Sequence, residues 1–226
     1  MLRIPVKRPK AIRRMREAGR IVAESFDILA NHIKPGVKLS HPGVICASIN
    51  HEICHGLPDG RILQEGDIVG IDIGLKFRGY CGDACVTFGV GQISAEAQRL
   101  LDIAQECLRV GIQAARYGNR LNDIGMDIEN YADTQQVTVV KEWGGHGLGK
   151  SLHEAPSVSH VRSPDRGPKL RPGMTFTIEP MINAGGQEWI LLEDGWTVIT
   201  KDGSLSAQFE HSIAITENGP EILTKL

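Results

Sequence analysis

Five residues stand out because their type conflicts with their surroundings. They are Asp72 in Val-Gly-Ile-Asp-Ile-Gly, Asp83 in Cys-Gly-Asp-Ala-Cys, His146 in Gly-Gly-His-Gly-Leu-Gly, Glu179 in Phe-Thr-Ile-Glu-Pro and Glu210 in Ala-Gln-Phe-Glu-His. All lie in apolar, strand-like segments, where charged side chains are almost never found unless paired or bound to metal. Any one of them alone reads best as a surface position on a half-exposed strand; five together read as a site. A hairpin centred between Phe77 and Arg78 sets Asp72 directly opposite Asp83, with Cα atoms about 4.5–5.5 Å apart. Two bare carboxylates that close repel until one protonates, and a shared divalent cation removes the conflict. Carboxylates with one imidazole form a mixed oxygen and nitrogen donor set, which suits Mn²⁺, Fe²⁺, Co²⁺ or Zn²⁺ better than calcium. Four carboxylates exceed the need of one ion, so two bridged divalent metal ions are expected, as in many hydrolases.

The elements that must position these residues can be read from periodicity. Ile12, Met15, Ala18, Val22, Phe26, Leu29 and Ile33 step by three or four, which predicts a helix from Pro9 to Ile33. Lys34-Pro35-Gly36 stops it. Arg8, Arg13, Arg14, Arg16 and Arg20 give it a basic outer face, read as solvated, with a ribosome or RNA contact as the minority alternative. Strands are expected at Val44–Ile49, Asp67–Phe77 and Tyr80–Val90, with a turn at Arg78-Gly79 and a loop from His55 to Gly60. Ser94 caps a helix running to Tyr117. A third helix covers Leu121 to Tyr131, and strands follow at Val137–Val140, Met174–Ile182, Trp196–Thr200 and Ala207–Ile215. The order predicts an α+β fold, an antiparallel sheet covered by helices, in one domain spanning 1–226.

Composition excludes several classes. The 226 residues carry a net charge of −2, so no global field recruits nucleic acid or an anionic membrane. No apolar run approaches the ~20 residues of a membrane span, and no signal-peptide core follows the basic N-terminus. Five cysteines, an odd and scattered set, fit a reduced cytoplasmic chain. Cys81 and Cys85 flank Asp83 and read as small apolar strand residues.

Further stretches carry a resemblance. Ile-Cys-His-Gly-Leu-Pro (53–58), Gly-Gly-His-Gly-Leu-Gly (144–149), His-Glu-Ala-Pro (153–156), Leu-Arg-Pro-Gly-Met-Thr-Phe-Thr-Ile-Glu-Pro-Met (170–181), Asp-Gly-Trp-Thr-Val (194–198) and Ser-Leu-Ser-Ala-Gln-Phe-Glu-His (204–211) resemble the type I methionine aminopeptidases. The likeness covers nearly the whole chain. It implies the pita-bread fold of the creatinase/aminopeptidase class, with pseudo-twofold halves. It also implies removal of the N-terminal methionine from nascent polypeptides when the second residue is small. Asp72 would chelate one metal and Asp83 and Glu210 would bridge both, with His146 and Glu179 completing the second site. A bridging water would be the nucleophile, and Glu179 its base and later the acid. His153 would stabilise the oxyanion and His55 would contact the peptide beyond the cleaved bond or the developing charge. Trp196 and Cys54 would wall the methionine pocket, although ordinary core is nearly as good a reading of Trp196. Asn50 and Ser206 would mark a monovalent cation site. His211, next to Glu210 on a strand, points to the opposite face and is structural. His32, His41, His51 and His160 are read as loop histidines bonded to backbone.

The sequence departs from the family at two places. Four residues, Lys38 to His41, stand between Val37 and Pro42 where relatives have a helix, a strand and a loop that shapes the methionine pocket. Leu152 precedes His153 where an aromatic is common. Two alternatives follow: a metallo-aminopeptidase of altered specificity, or a non-catalytic peptide-binding or ribosome-binding member. The complete ligand set counts against the second. The oligomeric state is open.

Overall fold

Three helices cover two groups of antiparallel strands in the computed structural model, which describes residues 4–40 and 45–225. Helix α1, Pro9–Ala30, buries Met15, Ala18, Gly19, Val22 and Ala23. That stripe lies on a three-stranded sheet of Ile45–Ile49, Ile68–Phe77 and Tyr80–Gly89. The approach is close: a Cβ on Gly82 would sit 2.7 Å from the Gly19 nitrogen. α1 ends three residues before the expected Ile33, although the His32 and Ile33 N–H groups still donate to the Leu29 carbonyl at 2.8 and 2.9 Å. Helix α2, Ala95–Ala114, starts where expected, with the Ser94 hydroxyl accepting the Ala97 N–H at 3.0 Å. Helix α3, Asp123–Gln135, lies against α2.

α2 and α3 cover the second group. A five-stranded sheet there runs in the order Gly219–Ile222, His211–Thr216, Thr175–Ile178, Gly145–Gly147, Glu154–Val158. Beside it lies a three-stranded sheet of Ser206–Gln208, Met181–Asn183 and Thr138–Val139. Smaller sheets join Trp189–Leu191, Val198–Thr200 and Glu52–Cys54, and pair Lys38–Ser40 with Asp59–Ile62. Asp59 and Gly60, expected in a loop, therefore open a strand. His41, Pro42 and Val44 lie outside the described residues. Every strand pairing among the described residues is antiparallel, in agreement with the expected fold class.

Two expectations about strands are corrected. The central hairpin closes with Phe77 paired to Tyr80, and Arg78 and Gly79 form the turn at φ 48° and 83°. Such a two-residue turn needs positive φ at both positions and matches the strand twist. It moves the hairpin centre, so Asp72 faces Cys85 and Asp83 faces Gly74. The two aspartates are thus diagonal neighbours on one face, not an opposed pair. The segments 174–182 and 207–215 are each broken in two. The first leaves the five-stranded sheet at Glu179-Pro180, where proline has no N–H for the ladder. The second breaks at Phe209-Glu210, where the Glu210 N–H goes instead to the Cys85 carbonyl at 2.9 Å. Ile178 pairs with His211 and Met181 with Gln208, so the two breaks face each other and set Glu179 across from Glu210.

Candidate metal centre and active site

Both strand groups deliver their charged residues to one cavity of about 1030 Å³. The hairpin supplies Asp72 and Asp83, the strand Gly145–Gly147 supplies His146, and the two facing breaks supply Glu179 and Glu210. All five line the cavity, as do His55, His153 and Trp196. Gly74 makes room opposite Asp83: a Cβ there would lie 3.1 Å from Asp83 Oδ1 and 3.0 Å from Leu152. The junction of the halves is tied by Ser212, whose hydroxyl donates to the Asp83 carbonyl at 2.7 Å and accepts the Asp83 N–H at 3.1 Å.

Ligand atoms of Asp83, His146 and Glu210 lie within 4.8 Å of one another. His146 Nε2 is 3.5 Å from Asp83 Oδ2 and 3.6 Å from Glu179 Oε1. Its Nδ1 lies 3.1 Å from the Gly147 carbonyl; a proton shared there leaves the Nε2 lone pair facing the carboxylates. Glu210 Oε1 is buried with no hydrogen-bond partner among the described residues. A buried carboxylate oxygen without a donor is costly unless a cation answers it. Burial, then repulsion from neighbouring carboxylates, pushes Asp72 and Glu210 well above the usual range. Burial is also the main cause that pushes Glu179 up to about 7, with Asp83 adding to it. The donor set therefore fits divalent cations: they would hold these acids ionised at neutral pH.

Glu179 is held from three sides. The Thr177 hydroxyl donates to its Oε1 at 2.5 Å, Gln208 Nε2 donates to Oε2 at 3.4 Å, and its backbone N–H donates to His160 Nε2 at 3.2 Å. Thr177 also accepts the His146 N–H at 2.9 Å, so one hydroxyl links two candidate ligands. His160 is thus bonded to backbone, as read from the sequence, and the backbone it holds is that of a candidate ligand. The imidazole is fully buried, and burial drops its pKa to about 3, which keeps Nε2 an acceptor. Thr177 and Gln208 carried no sequence signal beyond their place in the matched stretches.

His55 and His153 both line the cavity. His55 sits at φ 59° and its ring stacks on Trp196 at 5.0 Å and meets Trp143 edge-on at 5.4 Å. His153 lies 4.0 Å from the His146 ring. Burial, then the neighbouring imidazole, holds both below the usual histidine range. Trp196 is 51 % exposed, which removes the core reading. Cys54 is buried in a cluster with Val140, Met181 and Val198 and does not line the cavity, whereas Cys46 does. Asn50 and Ser206 do meet, with the Ser206 N–H donating to the Asn50 carbonyl at 2.8 Å. His211 points away, its Nδ1 2.9 Å from the Thr224 hydroxyl. On α1, Arg16 pairs with Glu221 and Arg20 with Glu24 at the surface.

Residues 37–217 match metallopeptidase family M24. The chain is 43 % identical to methionine aminopeptidase 1 of Bacillus subtilis over 97 % of this chain and 98 % of that one. It is 40 % identical to the methionine aminopeptidase of Escherichia coli K12, over 98 % and 94 %. The first alignment runs to 244 positions, more than the 226 residues here, so that relative carries residues this chain lacks. The crystal structure of methionine aminopeptidase from Rickettsia prowazekii superposes with a TM-score of 0.94 at 38 % identity, covering 98 % of this chain and all of that one. A Xaa-Pro dipeptidase from Bacillus anthracis shares the fold, with a TM-score of 0.80 at 23 % identity over 98 % of this chain and 62 % of that one. The chain belongs to metallopeptidase family M24 and, within it, to the methionine aminopeptidases.

Proposed function

We propose that this protein removes the N-terminal methionine from new polypeptides whose second residue is small, in the cytoplasm, with two divalent cations. The observation that carries the reading is the convergence of Asp72, Asp83, His146, Glu179 and Glu210 in one cavity with His55 and His153 on its wall. Those five side chains would hold the cations, which when bound supply an acidified water and polarise the scissile carbonyl. The chain's own residues do the rest. Glu179, fixed by Thr177 and Gln208, takes a proton and returns it to the departing amine. His153 and His55, both favoured neutral, each keep one N–H to offer developing negative charge or the peptide beyond the cut. Trp196, Cys46 and Leu152 form an apolar, polarizable wall suited to a thioether. Polypeptide N-termini are the partners; the arginine face of α1 is the candidate for ribosome contact.

The test is methionine release from Met-Ala-Ser with Mn²⁺ or Fe²⁺, with chelator, and with Glu179→Ala. Release is expected only with metal, and Glu179→Ala should lower kcat by about 10²–10⁴-fold. Folded, metal-loaded protein that releases no methionine refutes the reading. A second reading, release of other small neutral residues, is favoured by the short segment before Pro42 and by Leu152 in the wall. Profiling release across first residues separates the two.

A further inference from the structure

The least supported member of the site is His153. It is exposed, and among the described residues its imidazole makes no hydrogen bond; its one ring contact is His146. Its position therefore depends on the backbone of residues 149–153, a run of bends between two strands. Cys81 and Glu154 hold that run, with Lys7 behind Glu154, and the Cys81 thiol donates to the Lys150 carbonyl at 3.8 Å. The Gly149 carbonyl accepts the Cys81 N–H at 2.8 Å. Glu154 Oε1 accepts the N–H groups of Lys150 at 2.9 Å and Ser151 at 3.1 Å. Glu154 Oε2 is bonded by the ammonium of Lys7.

Lys7 reaches this turn from the segment ahead of α1. Its side chain is 12 % exposed and that of Glu154 17 %. Its backbone N–H is pinned to the Gly173 carbonyl at 2.7 Å, so the lysine cannot simply follow a moving turn. Gly149 leaves the passage open, since a Cβ there would collide with the ammonium. Without the ammonium, a largely buried carboxylate loses its charge partner and is drawn toward water. It would take the Lys150 and Ser151 amides, and with them His153, along.

We propose that the Lys7–Glu154 pair is a clamp that positions His153 over the cavity, making Lys7 a positioning residue for the reaction. This rests on the proposed activity for its kinetic consequence, but not for its structural one. A shift of about 1 Å in a positioned group can cost up to ~10²-fold in rate. The experiment compares Lys7→Met and Lys7→Arg, each in the wild-type and His153→Ala backgrounds, on Met-Ala-Ser with Mn²⁺. Lys7→Met is expected to lower kcat about 10-fold with little change in KM. Lys7→Arg should recover most of the loss, and Lys7→Met should add nothing once His153 is alanine. In parallel, the histidine ring signals of the chelated protein are followed by NMR. The signal lost in His153→Ala should shift or broaden in Lys7→Met while that of His55 stays. An equal loss of kcat in the His153→Ala background, or an unmoved His153 signal, overturns the clamp. If wild-type protein releases no methionine, the activity fails while the NMR comparison still decides the clamp.

Discussion

A buried ionisable side chain carries information because its burial must be answered. Asp72, Asp83, His146, Glu179 and Glu210 were legible in the sequence because charge inside apolar strands has few explanations. Thr177, Gln208 and His160 were not, since a threonine or glutamine on a strand is ordinary until its partner is known. His211 shows the other side of the same physics. Burial drops its pKa to about 4 from an unfolded value near 6.5. Between those values the unfolded chain binds more protons, so stability rises with pH there and is lost as pH falls from 6.5 toward 4. Chelated wild-type protein should therefore lose on the order of 2 kcal/mol more stability than His211→Gln between pH 7.5 and 5. Urea unfolding at the two pH values checks it; equal losses would show that His211 titrates normally.

Elements place these residues by their interruptions as much as by their regularity. Periodicity located α1, the cap at Ser94 and the hairpin strands. It could not locate the breaks at Glu179-Pro180 and Phe209-Glu210, because each segment reads as one apolar run. Nor could it set the hairpin register, which depends on how many residues the turn consumes. The contact of α1 with the hairpin is testable at this scale. Gly82→Ala would drive a methyl group against the Gly19 and Ala18 backbone, one residue from Asp83. The expected cost is about 1–3 kcal/mol by urea unfolding, as for an overpacked core. A variant as stable as wild type would mean that the helix shifts freely.

Across the whole molecule, one core forms under α1 and a larger one under α2 and α3, and the cavity takes residues from the strands of both groups. Carboxylates from both halves repel across that junction. Divalent cations should therefore act as a fold stabiliser as well as a cofactor, adding ~2.7 kcal/mol at a hundredfold excess over Kd. In chelator, Glu210→Gln should raise stability by about 1–3 kcal/mol, because it removes one buried acid from the repelling set. The same variant should lose most of the rise in Tm that Mn²⁺ gives wild type. A variant that melts lower in chelator and keeps the full Mn²⁺ response would show that Glu210 is not a ligand.

By itself the sequence singled out the charged residues that converge on the cavity, the donor set they would make, and the antiparallel strands and helices that hold them. Those follow from local type and local period, which neighbours in the chain suffice to express. Only the tertiary structure decided which carboxylates oppose each other. It set Glu179 across from Glu210 and left Asp72 and Asp83 diagonal. It also exposed Trp196, put Cys46 in the wall in place of Cys54, and brought Lys7 to Glu154. Register, strand breaks and contacts between distant segments arise from packing two halves against each other, and no window of sequence contains both sides of that contact.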